Sequence, residues 1–555
     1  MGRNEGSRAD GARIRTTARD AFGFDRLRPG QEEAIAAALE GRDVLAVMPT
    51  GLGKSAIYQV AGLLIEGLTL VVSPLLALQR DQVDSLRERD AEVGEAAALN
   101  STLSAAERED LLARAERGEV EFLFLAPEQL GSADTLERLE ALAPSLVVVD
   151  EAHCVVEWGH DFRPDYLGIG PVIERLGHPT VVALTATAAA PVRDEVVERL
   201  GMREPAVIVN GFDRPNLRLC VEMVTGAERK LARLLEHLPE LGTPGIVYVA
   251  TRAHADEVAQ GLRDAGHRAE AYHAGRATPE REAVQTAFMD DELDVVVATT
   301  AFGMGIDKER VRFVVHFDVP GSLDDYAQQI GRAGRDGARA DALLLYDPDD
   351  VPLQRFLRAG PSVEADVHER VAALVTRSDE PLDVDEVREA VDLSTTRLQT
   401  VLHQLADVGV LEVAADGTVR PQPDAPEPVE AAAAAQRLQE RHKAFERSRV
   451  AMMKDYVEAT TCRRAVLLSY FGEPFEPPCG NCDRCLEGAA PVEAEGPFEP
   501  GSSVVHDRFG AGQVVRYEEG KIVVLFEDIG YQTLALDLVL DEGLLGAADQ
   551  ETDSA

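Results

Sequence analysis

The sequence predicts an α/β protein built on parallel sheets that are buried on both faces. Two observations carry this. Short, continuously apolar and β-branched runs recur, among them Val44-Leu45-Ala46-Val47, Leu146-Val147-Val148-Val149 and Val181-Val182-Ala183-Leu184, with helix-length stretches between them. Two of these runs end directly in polar residues, Asp150-Glu151 and Thr185-Ala186-Thr187. Open parallel sheets place their ligands at these carboxyl ends.

A chain of 555 residues has room for about three to four domains. Hydrophobic content of 45% with 28% charged residues fits a folded, soluble chain. No stretch approaches the roughly 20 apolar residues of a membrane span. Met1–Asp20 is polar with no apolar signal core, so the expected compartment is the cytoplasm. The net charge of −42 excludes a protein that is basic all over, but not a local basic track. Of 56 basic residues six are Lys, leaving 50 Arg, the better bidentate phosphate ligand.

The organising motif is Met48-Pro49-Thr50-Gly51-Leu52-Gly53-Lys54-Ser55, between a strand-like and a helix-like run. Glycines let backbone wrap an anion, and free N–H groups at the helix start point at it. Lys54 would reach the β- and γ-phosphates, and the Ser55 hydroxyl would sit on Mg²⁺. Met48 stands where the strict pattern has Gly. Just upstream, Phe24, Arg28 and Gln31 either hold a base by stacking and amide pairing or serve as a cap and packing segment.

Asp150-Glu151-Ala152-His153 closes an apolar strand about 100 residues later. Asp150 would hold Mg²⁺ and Glu151 would orient the attacking water. Residues 154–166 follow, with the chain's single Trp, Trp158, beside Phe162, Arg163 and Tyr166. Such a loop either stacks on bases or forms a satellite apolar cluster. The βα pattern then repeats over 205–345. It ends in Gln328–Gly337, where Arg332 and Arg335 read as sharing one face of a helix start, the spacing of an arginine finger or of a solvated basic turn. Cys462, Cys479, Cys482 and Cys485 lie within 24 residues, whereas Cys154 and Cys220 are isolated. Four thiolates suit a closed tetrahedral Zn²⁺ site.

The order of these motifs resembles the superfamily 2 helicases. Arg28-Pro29-Gly30-Gln31, Asp150–His153, the loop Trp158–Pro164 and Gln328–Gly337 resemble the RecQ family in particular, over residues 20–345 and again over 440–486. The resemblance implies two RecA-like lobes with ATP in their cleft, 3′→5′ translocation on single-stranded DNA, and duplex unwinding in repair or recombination. It implies that Phe24, Arg28 and Gln31 hold adenine, with Thr50, Gly51, Gly53, Lys54, Ser55 and Asp307 completing the nucleotide site. Arg335 is the favoured finger, beside Arg332. Trp158, Phe162 and Arg163, with Ser73, Thr251 and Thr299, are assigned to DNA. An RNA remodelling ATPase and a non-catalytic docking scaffold are the alternatives; the RecQ-like loop and cysteines disfavour the first, and intact Lys54, Asp150, Glu151 and Arg335 the second.

The expected domains are a disordered 1–20, lobe 1 at 21–205, lobe 2 at 206–350, a winged-helix-like segment at 360–421, a linker at 422–435, a helical zinc subdomain at 436–490, a small β-barrel at 501–545 and an acidic tail at 546–555. The winged-helix reading rests on three short helices, at 367–375, 384–390 and 394–408, plus a hairpin. It is an insertion relative to the RecQ pattern, and its function is open between interdomain packing or protein binding on one side and DNA contact on the other. The usual terminal winged helix is not recognisable. Val505-His506-Asp507-Arg508-Phe509-Gly510 resembles instead the tudor-like barrel that ends UvrD/PcrA helicases, which implies protein docking, RNA polymerase being one partner. A monomer is expected.

Overall fold

The computed structural model describes residues 3–49, 51, 53–74, 76–87, 94–100, 103–156, 166, 168–303, 308–360, 362–378, 380–414, 417–488, 496–518 and 520–547. They form two compact units, one of residues 1–48, 52–211 and 361–440, the other of 49–51, 212–360 and 441–555. No helix among the described residues is long and apolar enough to cross a membrane.

The first unit is built on seven strands: β1 Val44–Val47, β2 Thr69–Val72, β3 Glu95–Leu99, β4 Val120–Leu125, β5 Leu146–Val149, β6 Thr180–Thr185 and β7 Ala206–Val209. Their order is β3-β4-β2-β5-β6-β1-β7, and every ladder is parallel. β1, β2 and β5 are buried at every residue, as unbroken apolar runs require. β7 pairs with β1 through Val44↔Ala206, so this sheet extends beyond the expected boundary at 205.

The expectation of disorder over 1–20 is overturned for the described residues 3–20. Residues Arg3–Phe22 form a helix. Ile14, Ala18 and Phe22, four residues apart, enter the same core as Ile35, Ile57 and Val182. Three apolar residues at helical spacing are enough to seat one face, although the surrounding Arg and Asp make the segment look unstructured by composition.

Residues 362–440 of this unit carry helices Ala365–Thr376, Val384–Val391 and Thr395–Asp407. They also carry β14 Leu382–Asp383, β15 Leu411–Val413 and β16 Thr418–Pro421, in the antiparallel order β14-β16-β15. This is a helix–strand–helix–helix–hairpin sequence around a core of Val371, Val401 and Leu405. Its third helix is docked, because Arg199 donates to His403 Nε2 (2.9 Å) and to Asp407 (3.3 Å). Burial pulls His403 down to about 4, which keeps the ring neutral and able to accept from the guanidinium. The helix Pro428–Glu458 takes up residues 428–435, which composition assigns to a linker. Ala431 and Ala435 are core residues there, and alanine propagates helix well.

The second unit holds β8 Leu217–Met223, β9 Gly245–Tyr248, β10 Ala269–Tyr272, β11 Val295–Ala298, β12 Phe313–His316 and β13 Ala340–Tyr346. These are ordered β10-β11-β9-β12-β13-β8, again all parallel. The helix Asp350–Arg358 belongs to this lobe, beyond the expected end at 350. Lys230 Nζ donates to Asp350 (2.7 Å) and Gln354 Nε2 to the Val319 carbonyl (2.6 Å).

Near the C-terminus, β17 Ser503–His506, β18 Gly510–Glu518, β19 Lys521–Phe526, β20 Gly530–Ala535 and β21 Leu545–Ala547 form one antiparallel sheet ordered β20-β19-β18-β17-β21. Its two end strands are joined by the helix Leu536–Glu542, whose Val539 enters the sheet's core. β21 takes in residues 546 and 547 of the expected tail, and residues 548–555 lie outside the described residues. The Tyr531 N–H donates to Ser448 Oγ (3.0 Å) and Thr533 Oγ1 to Asp455 (2.9 Å), so the sheet is seated on the long helix.

Phe22→Ala removes a ring from the first core. It is expected to destabilise that unit by about 3–5 kcal/mol, read as a lower first transition in calorimetry.

Candidate nucleotide site and zinc knuckle

The phosphate-loop motif leaves β1 at its carboxyl end and enters the helix Ser55–Leu64. Gly51 and Gly53 have φ of 82° and 71°, the left-handed backbone that lets the chain curl. Lys54 Nζ donates to the Met48 carbonyl (3.1 Å), so the ammonium lies back across the loop. Met48 is buried, and a side chain at Gly30 would meet its Cε at 2.8 Å. The Met in place of Gly is thus a packing residue joining the loop to the Arg28–Gln31 segment. Gln31 is 3% exposed and uses both ends of its amide. Its Oε1 accepts from Arg28 N (2.7 Å) and its Nε2 donates to the Gly53 carbonyl (2.8 Å). Phe24 stacks on Phe22 at 5.7 Å, and Arg28 is exposed.

Asp150 extends the β5 ladder by one residue, its N–H donating to the Val72 carbonyl (2.9 Å), and Glu151 follows it. Burial and the Glu151 carboxylate push the Asp150 carboxyl up to about 7, against the pull of Lys54 and His153. A desolvated acidic pair of this kind is offset by a bound divalent cation. Glu151 sits at φ 49°, a strained conformation for a residue with a side chain. Two groups that sequence reasoning did not assign hold this corner. Tyr166, fully buried, donates from Oη to the Asp150 carbonyl (3.0 Å). His153 Nδ1 lies 2.9 Å from Thr185 Oγ1, which in turn donates to the Thr187 carbonyl (3.0 Å). The Thr-Ala-Thr at the end of β6 was the signal for the second group; for Tyr166 the sequence carried none beyond membership of an aromatic cluster.

In the second unit, the helix Leu323–Ile330 ends before the arginines. Arg332 and Arg335 therefore lie in a turn and not on a helix start, because Gly331, Gly334 and Gly337 interrupt the helical run. Arg332 is 3% exposed and its Nε is buried without a hydrogen-bond partner. Burial raises the Tyr248 phenol, opposed by the nearby Arg332 and Arg335 guanidinium groups.

Of the residues assigned to DNA, Thr251 caps the helix Arg252–Asp264, accepting from His254 N (3.2 Å), and Thr299 is half-buried at the end of β11. Ser73 lies at the carboxyl end of β2. It is 2% exposed, since its N–H continues the β2–β4 ladder to the Leu125 carbonyl (3.1 Å) and its own carbonyl accepts from Gln79 (2.8 Å). Thr50, Trp158, Phe162, Arg163 and Asp307 lie outside the described residues.

The four clustered cysteines converge, with all Sγ atoms within 4.8 Å of one another. Zn–S bonds of about 2.3 Å in a tetrahedron put sulfurs about 3.8 Å apart, and Cys479 and Cys485 are 3.8 Å apart. Asn481 N and Cys485 N point at Cys479 Sγ and Cys482 Sγ (both 3.4 Å), which favours thiolates. The donor set fits Zn²⁺. The knuckle also covers the outer edge of β8: Leu219 N donates to the Asn481 carbonyl (3.4 Å) and Val221 N to Asp483 (3.2 Å).

The chain is 37% identical over 507 residues to the Bacillus subtilis protein named "Probable ATP-dependent DNA helicase RecS", covering 90% of this chain and 98% of that one. This chain belongs to the RecQ family of helicases. Residues 28–195 match the DEAD/DEAH box helicase family, 228–337 the helicase conserved C-terminal domain and 429–486 the RecQ zinc-binding family. The Pasteurella multocida ATP-dependent DNA helicase RecQ is 36% identical over 84% of this chain, which spans 61% of that longer RecQ protein. Among solved structures, the helicase MrfA bound to DNA aligns with a TM-score of 0.51 at 19% identity, over 75% of this chain and 60% of that one. The Mycobacterium smegmatis helicase Lhr bound to ssDNA and AMP-PNP aligns at 0.50 and 21% identity, over 79% and 62%. At such identities the likeness shows the shared fold. The cysteine knuckle lies within the residues that match the RecQ zinc-binding family, and the phosphate loop within those that match the DEAD/DEAH box helicase family.

Cys482→Ser is expected to abolish the bound zinc, measured by chelator release from the purified chain as a fall from about one equivalent to none. The melting temperature should fall with it, because metal binding and folding are linked.

Proposed function

We propose that this chain hydrolyses ATP to drive 3′→5′ movement on single-stranded DNA and to unwind forked or partly duplex DNA during repair and recombination. The observation that carries the reading is the buried acidic corner. Asp150 feels both Glu151 and Lys54, and Glu151 is held in a strained, specified conformation beside His153. Phosphoryl transfer uses a cation, a metal-binding carboxylate and a second carboxylate that orients water, and this reading gives those roles to Lys54, Asp150 and Glu151.

Lys54 binds the β- and γ-phosphates, with Thr50, Gly51 and Gly53 supplying loop backbone. Ser55 and Asp150 would hold Mg²⁺, which supplies charge neutralisation on the phosphate oxygens. Glu151 orients the attacking water, and the His153–Thr185 contact keeps that carboxylate's neighbour in register. Arg335, with Arg332, stabilises charge on the transferring group, and Asp307 belongs to the same site. Phe24 and Arg28 face the base, while Gln31 ties that segment to the loop. Trp158, Phe162 and Arg163 contact DNA bases and backbone, and Thr251 and Thr299 contact phosphate. Ser73, at the carboxyl end of β2, is assigned to the same DNA contact. We further propose that the chain works as a monomer in the cytoplasm. The exposed Val505 of the C-terminal sheet and the exposed Leu538 and Leu540 of the helix that joins its end strands support its use as a protein-docking module, with RNA polymerase as the partner.

ATP hydrolysis measured with no nucleic acid, with single-stranded DNA and with RNA decides the reading. DNA is expected to stimulate the wild type at least about tenfold over the other two. Lys54→Ala should fall to background, and Arg335→Ala should lose about a thousandfold in kcat. Equal rates in all three conditions would overturn the proposal. On forked substrates, strand separation is expected only when the loading tail ends 3′.

A further inference from the structure

The segment 212–217 separates the zinc knuckle from the arginine turn, and its polar groups are committed to both sides. On the knuckle side, Arg464 Nη2 donates to the Arg214 carbonyl (2.9 Å) and the Leu217 carbonyl (2.7 Å). Asn481, between two of the zinc cysteines, donates from Nδ2 to the Pro215 and Leu217 carbonyls (both 3.1 Å). Phe212 stacks on Phe471 at 4.1 Å, and its N–H donates to Glu473 (2.7 Å).

On the other side, the Arg214 guanidinium spans the turn. It donates to the carbonyls of Gly331 (3.2 Å), Ala333 (2.9 Å) and Gly334 (2.9 Å). Asn216 Nδ2 donates to Gly334 and Ala338 (both 2.9 Å), and its carbonyl accepts from Ala340 N (3.1 Å). Carbonyls just beyond a helix C-terminus have no partner within the helix. Here the side chains of Arg214 and Asn216 supply them. The fit is close, since a Cβ on Gly334 would lie 2.5 Å from Asn216 Nδ2, at a residue whose φ is 59°. Arg332 and Arg335 alternate with the residues whose carbonyls are held.

The geometry points to Arg214 and Asn216 as positioning residues for the arginine turn, referenced to the zinc knuckle through Arg464 and Asn481. The knuckle thereby acts on ATP hydrolysis as well as on folding. This rests on the reading of Arg335 as the finger. A planar five-donor guanidinium can meet three carbonyls at once, which an ammonium on a flexible stem does not reproduce.

The test uses the full chain and compares Arg214→Lys, Asn216→Ala and Asn481→Ala with Arg335→Ala. For each variant, kcat and KM for ATP with single-stranded DNA, zinc content, melting temperature and the affinity ratio for ADP–aluminium fluoride over ADP are measured. Arg214→Lys and Asn216→Ala are expected to lower kcat about tenfold and to lower the affinity ratio similarly. KM, zinc content and melting temperature should stay near wild type. Asn481→Ala should shift the same two quantities in the same direction by a smaller factor. If kcat falls only in step with lost zinc or lost folded protein, or the affinity ratio is unchanged while Arg335→Ala lowers it, the positioning role is overturned. If Arg335→Ala itself leaves kcat and the ratio unchanged, the finger assignment fails instead. Should Asn216→Ala not fold, Arg214→Lys, which keeps the charge, decides between the outcomes.

Discussion

A parallel sheet covered on both faces leaves polar chemistry almost nowhere to go. Its backbone groups are consumed by the ladders and its side chains face apolar neighbours, so only the strand ends admit charge. The first unit shows the consequence. Met48 N donates to the Thr185 carbonyl (3.0 Å) and Asp150 N to the Val72 carbonyl (2.9 Å), so the ladder runs one residue past β1 and β5 into the motifs themselves. The residues of both motifs inherit the register of the sheet. The same extension explains why Ser73, in an equivalent position one strand away, ends buried: its N–H and carbonyl are both taken up inside the unit.

The second unit solves a different problem, that of seating buried charge. Arg449 is buried with Glu446 (2.9 Å) and Asp324 (3.1 Å), and Tyr470 Oη donates to the same Asp324 (2.6 Å). Burial pushes the Glu446 carboxyl up, but the Arg449 and Arg358 guanidinium groups and His442 hold it down at about 2. Such networks add little net stability, but removing one member strands the others, so they specify one arrangement of the elements that carry them. Here those elements are the helix leading into the arginine turn, the long helix and the helix that begins at the zinc site. Tyr531 of the C-terminal sheet packs on Tyr470 at 5.4 Å, so the added sheet is continuous with this network.

The two appended modules are thus built into the units and not hung from them. The winged-helix-like segment spends the C-terminal half of its third helix on Arg199, with a neutral His403 as acceptor. The acidic character of the chain, −42 overall, is compatible with this architecture because the arginines that matter are locally paired or placed at strand and helix ends.

The sequence by itself determined the fold class, the phosphate loop, the acidic box and the cysteine cluster. Each is a local pattern whose chemistry needs fixed residue types at fixed spacing, and periodicity reports burial directly. The helices and hairpin within 365–421 were legible for the same reason. Only the tertiary structure decided the rest. The helix Arg3–Phe22 depends on a core that composition cannot see, and β7 joins the first sheet because β1 offers it a free edge. Arg332 and Arg335 left the helix because glycines and the donors of Arg214 and Asn216 made a turn more favourable. Those donors come from more than 110 residues away in sequence. No local pattern records a hydrogen bond between side chain and backbone at that separation, because its partners are chosen by packing and not by spacing.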